Sequence, residues 1–204
     1  MEIVDRTRLM ATPEGQARNA EIYRTAAELM VEKGFGGTSI GDIAQAVGMT
    51  KSGLYHHIAS KQDMLYKIMT YVMDSVEEVV VEPTRTIADP EERLREIMRL
   101  HVNGLIKYGP AMSVLMWEVN HLESAGRTEI VNRKKAYHQY VQFAVEELEA
   151  AGRLQVQGVK MTTQHILSTI RGIARWYSPN KSPKVNEVVE ETINFVTRAI
   201  LKPS

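Results

Sequence analysis

The stretch Ser39-Ile40-Gly41-Asp42-Ile43-Ala44-Gln45-Ala46-Val47-Gly48-Met49-Thr50-Lys51-Ser52-Gly53-Leu54-Tyr55-His56-His57-Ile58 decides how this chain is read. Its apolar residues Ile40, Ile43, Ala44 and Val47 recur at helical spacing, and Leu54 and Ile58 take that spacing up again after a break. Gly48 suits the break, because glycine enters the left-handed backbone region without a Cβ penalty. Thr38 or Ser39 can cap the first helix, with Asp42 supporting its positive end, and Thr50 opens the second. Two short helices joined by a tight turn at Val47-Gly48-Met49 bury one shared face, with Ala44 small where they cross.

What stays outside on the second helix is Thr50, Lys51, Ser52, Tyr55 and His56, a row of hydrogen-bond donors. In a DNA-reading helix-turn-helix the second helix lies in the major groove and its N-terminal residues reach base edges. The plain alternative, a helical hairpin with a polar exterior, fits the same two helices.

Upstream, residues 17–33 carry an apolar stripe at Ile22, Ala26, Leu29 and Met30. Gly34 ends that helix, Phe35 tucks back and Gly36-Gly37 is a loop. Downstream, Ser60 caps a long helix reaching to about Val81, and the prolines of Pro83 to Pro90 mark a loop. Helices follow at about 90–108, 111–121, 125–151, 162–177 and 184–201, punctuated by Gly109-Pro110, Gly152 to Gly158 and Ser178 to Pro183. The expected fold class is all-α. An N-terminal three-helix helix-turn-helix domain occupies residues 1–65 (motif 39–58), and residues 66–204 form a C-terminal helical bundle for ligand binding and dimerisation.

Composition bounds the function. The 204 residues are 44% hydrophobic, enough for real cores. No cysteine is present, which excludes disulfides, thiolate catalysis and Cys-ligated zinc. No apolar run approaches the roughly 20 residues of a membrane span, and Met1 to Met10 lacks the apolar core of a signal peptide. A soluble, cytoplasmic protein is expected. The 25 basic and 25 acidic residues cancel, and residues 1–70 balance eight against eight, so net charge does not argue for nucleic acid. Charge placement does: from Val47 to Ser60, Lys51, His56 and His57 have no acidic neighbour, and Lys61 follows.

Catalytic motifs are missing. There is no phosphate-cradling glycine motif, nucleophile elbow or His-Glu-x-x-His run. The adjacent His56 and His57 point about 100° apart on a helix and cannot share a metal. No enzyme activity, metal or cofactor is expected.

Ala26-Ala27-Glu28-Leu29, Glu32-Lys33-Gly34-Phe35, Thr38-Ser39, Asp42-Ile43-Ala44, Gly48, Lys51 through Ile58 and Ser60-Lys61 together resemble the DNA-binding domain of the TetR family of repressors. Gln62 stands where that family usually has an acidic residue, and Ile58 where it usually has Phe. The resemblance implies that Thr38, Ser39, Tyr55, His56 and Lys61 contact phosphate and that Thr50, Lys51 and Ser52 face bases. It also implies a homodimer on a double-stranded DNA operator, released by a small-molecule effector. A helical small-molecule-binding protein without operator binding is the competing class.

In the C-terminal part, helix 184–201 is apolar on two sides. Val188, Thr192, Phe195 and Ala199 form one row; Val185, Val189, Ile193, Val196 and Ile200 form another. One row can pack inward while the other meets a partner, although a monomer with a wide buried face fits the same pattern. Candidate ligand contacts are His101, Leu105, Met112, Met116, Lys134, Tyr137, Arg171, Arg175 and Trp176. His101 on an apolar stripe also reads as a hydrogen-bonded core histidine. The run from Arg171 to Pro179 is similar to TetR-family regulators that sense coenzyme A thioesters. That similarity implies an acyl-CoA effector, with arginine meeting the anion; pairing of Arg171 and Arg175 with acidic residues across a dimer is the alternative.

Overall fold

A computed structural model describes residues 12–178, 180–181 and 183–203. The N-terminal arm over residues 1–11, and Pro179 of the coenzyme A-type run, lie outside the described residues. The chain is all-α.

Helix α1 spans Pro13–Gly37, with the hydroxyl of Thr12 accepting from the Gly15 amide at 3.1 Å. It is interrupted at Gly34, whose φ of 74° is open to glycine. Helix α2 is Ile40–Ala46 and α3 is Lys51–Leu54. Helix α4, Lys61–Val76, starts at Ser60, whose hydroxyl accepts from the Asp63 amide at 3.0 Å. A π-helical turn, Glu77–Val81, then runs into a short α5, Glu82–Thr84.

The loop expected from Pro83 therefore begins later. Pro83 follows Val81 and Glu82, both in the right-handed helical region, so the helix continues through it at the junction of the π turn and α5. The hydroxyl of buried Thr84 donates to the Val80 carbonyl at 2.6 Å and meets Tyr140 Oη at 2.8 Å. Helix α6, Pro90–Trp117, is interrupted at the Gly109-Pro110 break that the sequence marks. Gly109 (φ 12°, ψ −89°) kinks it beside Pro110, and helix continues on both sides. Helices α7 (Ser124–Ala150), α8 (Val159–Trp176) and α9 (Val185–Ile200) complete the chain.

Packing divides the described residues into two compact units. One comprises the residues up to Val72 together with Pro110–Val131; the other comprises Met73–Gly109 and the residues from Asn132 onward. The first unit buries Ile22, Ala26 and Met30 of α1, Ile43 and Ala44 of α2, and Leu54, Met64 and Leu65 beyond them. Each large apolar side chain so enclosed contributes about 1.5–3 kcal/mol.

In the second unit, α8 and α9 pack on each other. They bury Ile166, Ile170 and Ile173 on one helix and Val189, Ile193, Val196 and Ile200 on the other. The C-terminus is clasped: the Gln155 amide donates to the Ile200 carbonyl and the Lys202 amide to that of Arg153, both at 2.9 Å. Arg153 also pairs with Asp89 at 2.6 Å and with Glu91.

Candidate nucleic-acid interface and effector-binding residues

Ser39 and Asp42 close a capping box on α2. The Asp42 amide donates to Ser39 Oγ at 3.1 Å, and the Ser39 amide to Asp42 Oδ2 at 2.9 Å. Those bonds, with the charges of Lys33 and Lys51 behind them, hold the Asp42 carboxyl below its usual range. Gly48 turns the chain at φ 66°. Thr50 then caps α3, its Oγ accepting from the Gly53 amide at 3.0 Å. With Leu54 and Ile58 pointing inward, the outer face of the second helix is left to Thr50, Lys51, Ser52, Tyr55 and His56, all exposed.

Two expected phosphate contacts have other employment. Thr38 is only 1% exposed, and its hydroxyl lies within bonding distance of the carbonyls of Gly34 (2.9 Å) and Leu29 (3.2 Å). In this conformation it stitches the end of α1 and presents no donor outward. Lys61 donates from Nζ to the carbonyls of Phe35 (2.9 Å) and Thr38 (3.0 Å), and its ammonium sits 4.4 Å from the Phe35 ring centroid. Both are positioning groups here, because the irregular Gly34–Thr38 segment leaves carbonyls that need donors. Ser39 keeps its side chain exposed at the start of α2.

Supporting residues outside the sequence candidates appear on α1 and α4. Arg18 donates to the Val47 carbonyl at 3.0 Å, fixing the turn between α2 and α3. His57 Nδ1 bonds Asn19 Oδ1 at 2.8 Å, and Lys67 donates to the His57 carbonyl at 2.7 Å. Burial, then the charges of Arg18, His56 and Lys67, push the His57 imidazole below its ordinary value, which favours the uncharged ring. These contacts link residues 10 to 38 positions apart, and no local pattern announces them.

The expected effector contacts fall in different places. In the second unit, His101 is buried and its Nδ1 lies 2.8 Å from Tyr137 Oη, the rings meeting edge to face at 69°. Burial, then the charge of Arg171, pushes His101 down to about 4, while burial raises Tyr137, so both are uncharged at neutral pH. Lys134 is half-buried and lowered by burial and then by Arg171. Arg171 itself donates to Ser168 Oγ at 3.2 Å. Lys134 and Arg171 thus reinforce each other's positive field beside a neutral His–Tyr pair.

Tyr137 also lines a cavity of about 310 Å³ with Met73, Val76, Val81, Ala136 and Tyr140. Arginines at its rim are already paired, Arg133 with Asp74 at 2.7 Å and Arg85 with Glu77 at 3.1 Å. Leu105 is buried as core in the same unit. In the first unit Met112 is buried and Met116 half-buried. Arg175 is exposed, and Trp176, 55% exposed, lines an open groove of about 570 Å³ on α8 and α9 with Ile173, Val188, Thr192 and Phe195. Trp176 therefore stands beside Val188, Thr192 and Phe195, one of the two apolar rows read on helix 184–201. Among the described residues no group of acids and histidines is arranged to hold a metal, and no helix is long and apolar enough to cross a membrane.

Comparison with known proteins matches two stretches of the chain. Residues 22–68 match the family model described as bacterial regulatory proteins, tetR family, and residues 88–200 match the tetracyclin repressor-like C-terminal domain. The chain is 24% identical over 189 residues to the HTH-type transcriptional repressor KstR2 of Rhodococcus jostii (strain RHA1), spanning 91% of this chain and 92% of that protein. It is similar to the crystal structure of AibR in complex with isovaleryl coenzyme A and operator DNA, at 32% identity and a TM-score of 0.78, covering 87% of this chain and 97% of that one. KstR2 of Mycobacterium tuberculosis shares the fold at a TM-score of 0.83 and 23% identity, over 91% of this chain and 96% of that one.

Proposed function

This chain belongs to the tetR family of bacterial regulatory proteins, and we propose that it works as a homodimer released from a palindromic operator by an acyl-coenzyme A thioester. Within that family it is a DNA-binding transcriptional repressor under the control of an effector. No catalytic role is assigned to it, and it acts in the cytoplasm.

DNA reading belongs to residues 1–65, with Ser39, Thr50, Lys51, Ser52, Tyr55 and His56 at the DNA. Phosphate contacts orient the protein and base contacts specify the site. Residues 66–204 take the effector and the partner. The open α8–α9 groove supports the dimer: Phe195 is 68% exposed and Trp176 55%, large apolar surface beside the buried Ile173 and Val188. Two recognition helices are what a two-half-site operator requires.

The observation that carries the effector class is the half-buried Lys134, whose ammonium is disfavoured by burial and then by the charge of Arg171, next to neutral His101 and Tyr137. An anion relieves that repulsion, and guanidinium matches phosphate and carboxylate geometry. AibR, bound to isovaleryl coenzyme A, has a ligand of this kind. Induction is a population shift: the thioester binds better to arrangements whose recognition helices do not fit the half-site spacing.

A gel shift tests this. The protein is presented with DNA upstream of its own coding sequence and titrated with isovaleryl coenzyme A and longer acyl thioesters. Release by a thioester at micromolar levels, with Arg171→Ala and Lys134→Met needing at least about tenfold more, is the expected result; each lost charged contact is worth about 1.5–3 kcal/mol. A shift that no thioester reverses removes the coenzyme A assignment and leaves the repressor.

A further inference from the structure

Gly41 lies inside α2, and its backbone does not ask for glycine. Among the described residues the glycines with φ between 66° and 91° are Gly34, Gly48, Gly152 and Gly158. Inside a helix, glycine is a worse choice than alanine, because it loses more conformational freedom on folding. What a side chain there would change is the placement of Lys51. A Cβ on Gly41 would lie 2.8 Å from Lys51 Cε and 3.2 Å from Lys51 Nζ, with Ser39 Oγ next at 3.5 Å.

The far end of Lys51, the first residue of α3, is thus folded back across α2. Its ammonium and the exposed Ser39 hydroxyl flank one point. Asp42 feels that charge, which draws Lys51 the same way. In a docked helix-turn-helix the second helix enters the major groove while the first crosses the sugar-phosphate backbone. A lysine laid over the first helix is therefore aimed at the backbone.

We propose that Gly41 is a positioning residue for DNA binding: the missing Cβ leaves the slot that turns Lys51 from the base edges toward a backbone phosphate beside Ser39. Lys51 then supplies affinity along with the phosphate-facing Tyr55 and His56, while Thr50 and Ser52 supply sequence discrimination. This refines the role of Lys51 and rests on the operator-binding reading.

The test is a double-mutant cycle on the full chain. Wild type, Gly41→Ala, Lys51→Met and the double variant are titrated against a duplex that the wild type selects from a random pool, and against an unrelated duplex of equal length. Titrations run across a range of salt. Lys51→Met is expected to weaken both duplexes by the same factor and to reduce the salt slope by about one. Gly41→Ala is expected to shift both in the same direction, to add nothing once Lys51 is gone, and to melt no lower than wild type, since alanine is the better helix former.

Loss of discrimination between the duplexes in Lys51→Met would overturn the proposal, because it marks a base contact. So would a Gly41→Ala effect that persists in the Lys51→Met background. A wild-type chain that selects no duplex overturns the operator reading as well, whereas normal selection with an additive cycle overturns this inference alone.

Discussion

Lys61 donates from Nζ to the carbonyl oxygen of Thr38 at 3.0 Å, tying the first residue of α4 to the segment that leads into α2. The same ammonium reaches the Phe35 carbonyl at 2.9 Å and faces the Phe35 ring. A cation that serves two carbonyls of an irregular turn holds the platform under the recognition helix.

Lys61→Met keeps the aliphatic stem and removes the donor. Hydrogen bonds from a charged group are worth about 1.5–3 kcal/mol, and each kcal/mol moves Tm by about 2–4 °C at this chain length. A melting temperature lower by several degrees is the expected outcome of thermal unfolding followed by circular dichroism. An unchanged melt with weakened DNA binding would instead make Lys61 a phosphate contact alone.

Thr38→Val tests the neighbouring assignment. The replacement has nearly the same shape but no hydroxyl, and it leaves the inward-facing carbonyls of Gly34 and Leu29 without that donor. Stability should fall by about 1–2 kcal/mol in urea unfolding. Folded protein should keep wild-type operator affinity and salt slope. A reduced salt slope with unchanged stability would return Thr38 to the DNA face.

The buried His101 makes stability depend on pH. Its folded value of about 4 lies below the ordinary 6.5, so the unfolded chain takes up the proton first. The stabilisation is fully present above pH 6.5, is lost as pH falls toward 4, and changes no further below that. The size is on the order of 3 kcal/mol. Urea unfolding of wild type and His101→Gln between neutral pH and pH 4 should show wild type losing more by that amount. Parallel curves would show that His101 is not held neutral.

Phe195→Glu places a charge in the α8–α9 groove without touching the core, since Phe195 is mostly exposed. The expected species in sedimentation velocity is a folded monomer. Operator affinity should fall with it, because one recognition helix covers one half-site. A variant that remains dimeric would move the interface off this face.

Which parts of the chain could be read without coordinates depends on how far apart the interacting residues are. Ser39 and Asp42, Thr50 and Gly53, and Ser60 and Asp63 are three positions apart, so their caps follow from spacing alone. The outward row of Thr50, Lys51, Ser52, Tyr55 and His56 was legible for the same reason, as the complement of an apolar face with helical period. The helix expected to stop at Pro83 instead passes through it, because a π turn and the hydroxyls of Thr84 and Tyr140 absorb the defect. Tyr140 lies 56 residues from Thr84, beyond any local rule.

By itself, then, the sequence determined the all-helical class, the caps and turn of the helix-turn-helix, and the apolar rows of α9, since each rests on interactions within a turn or two of helix. Tertiary structure decided the rest. It turned Thr38 and Lys61 inward as supports, brought Arg18 to Val47, joined His101 to Tyr137, set Lys134 in the field of Arg171 and laid Lys51 over Gly41. Those outcomes depend on which buried carbonyls lack a donor and which cations lose water together. Both are settled only when distant helices pack and solvent leaves.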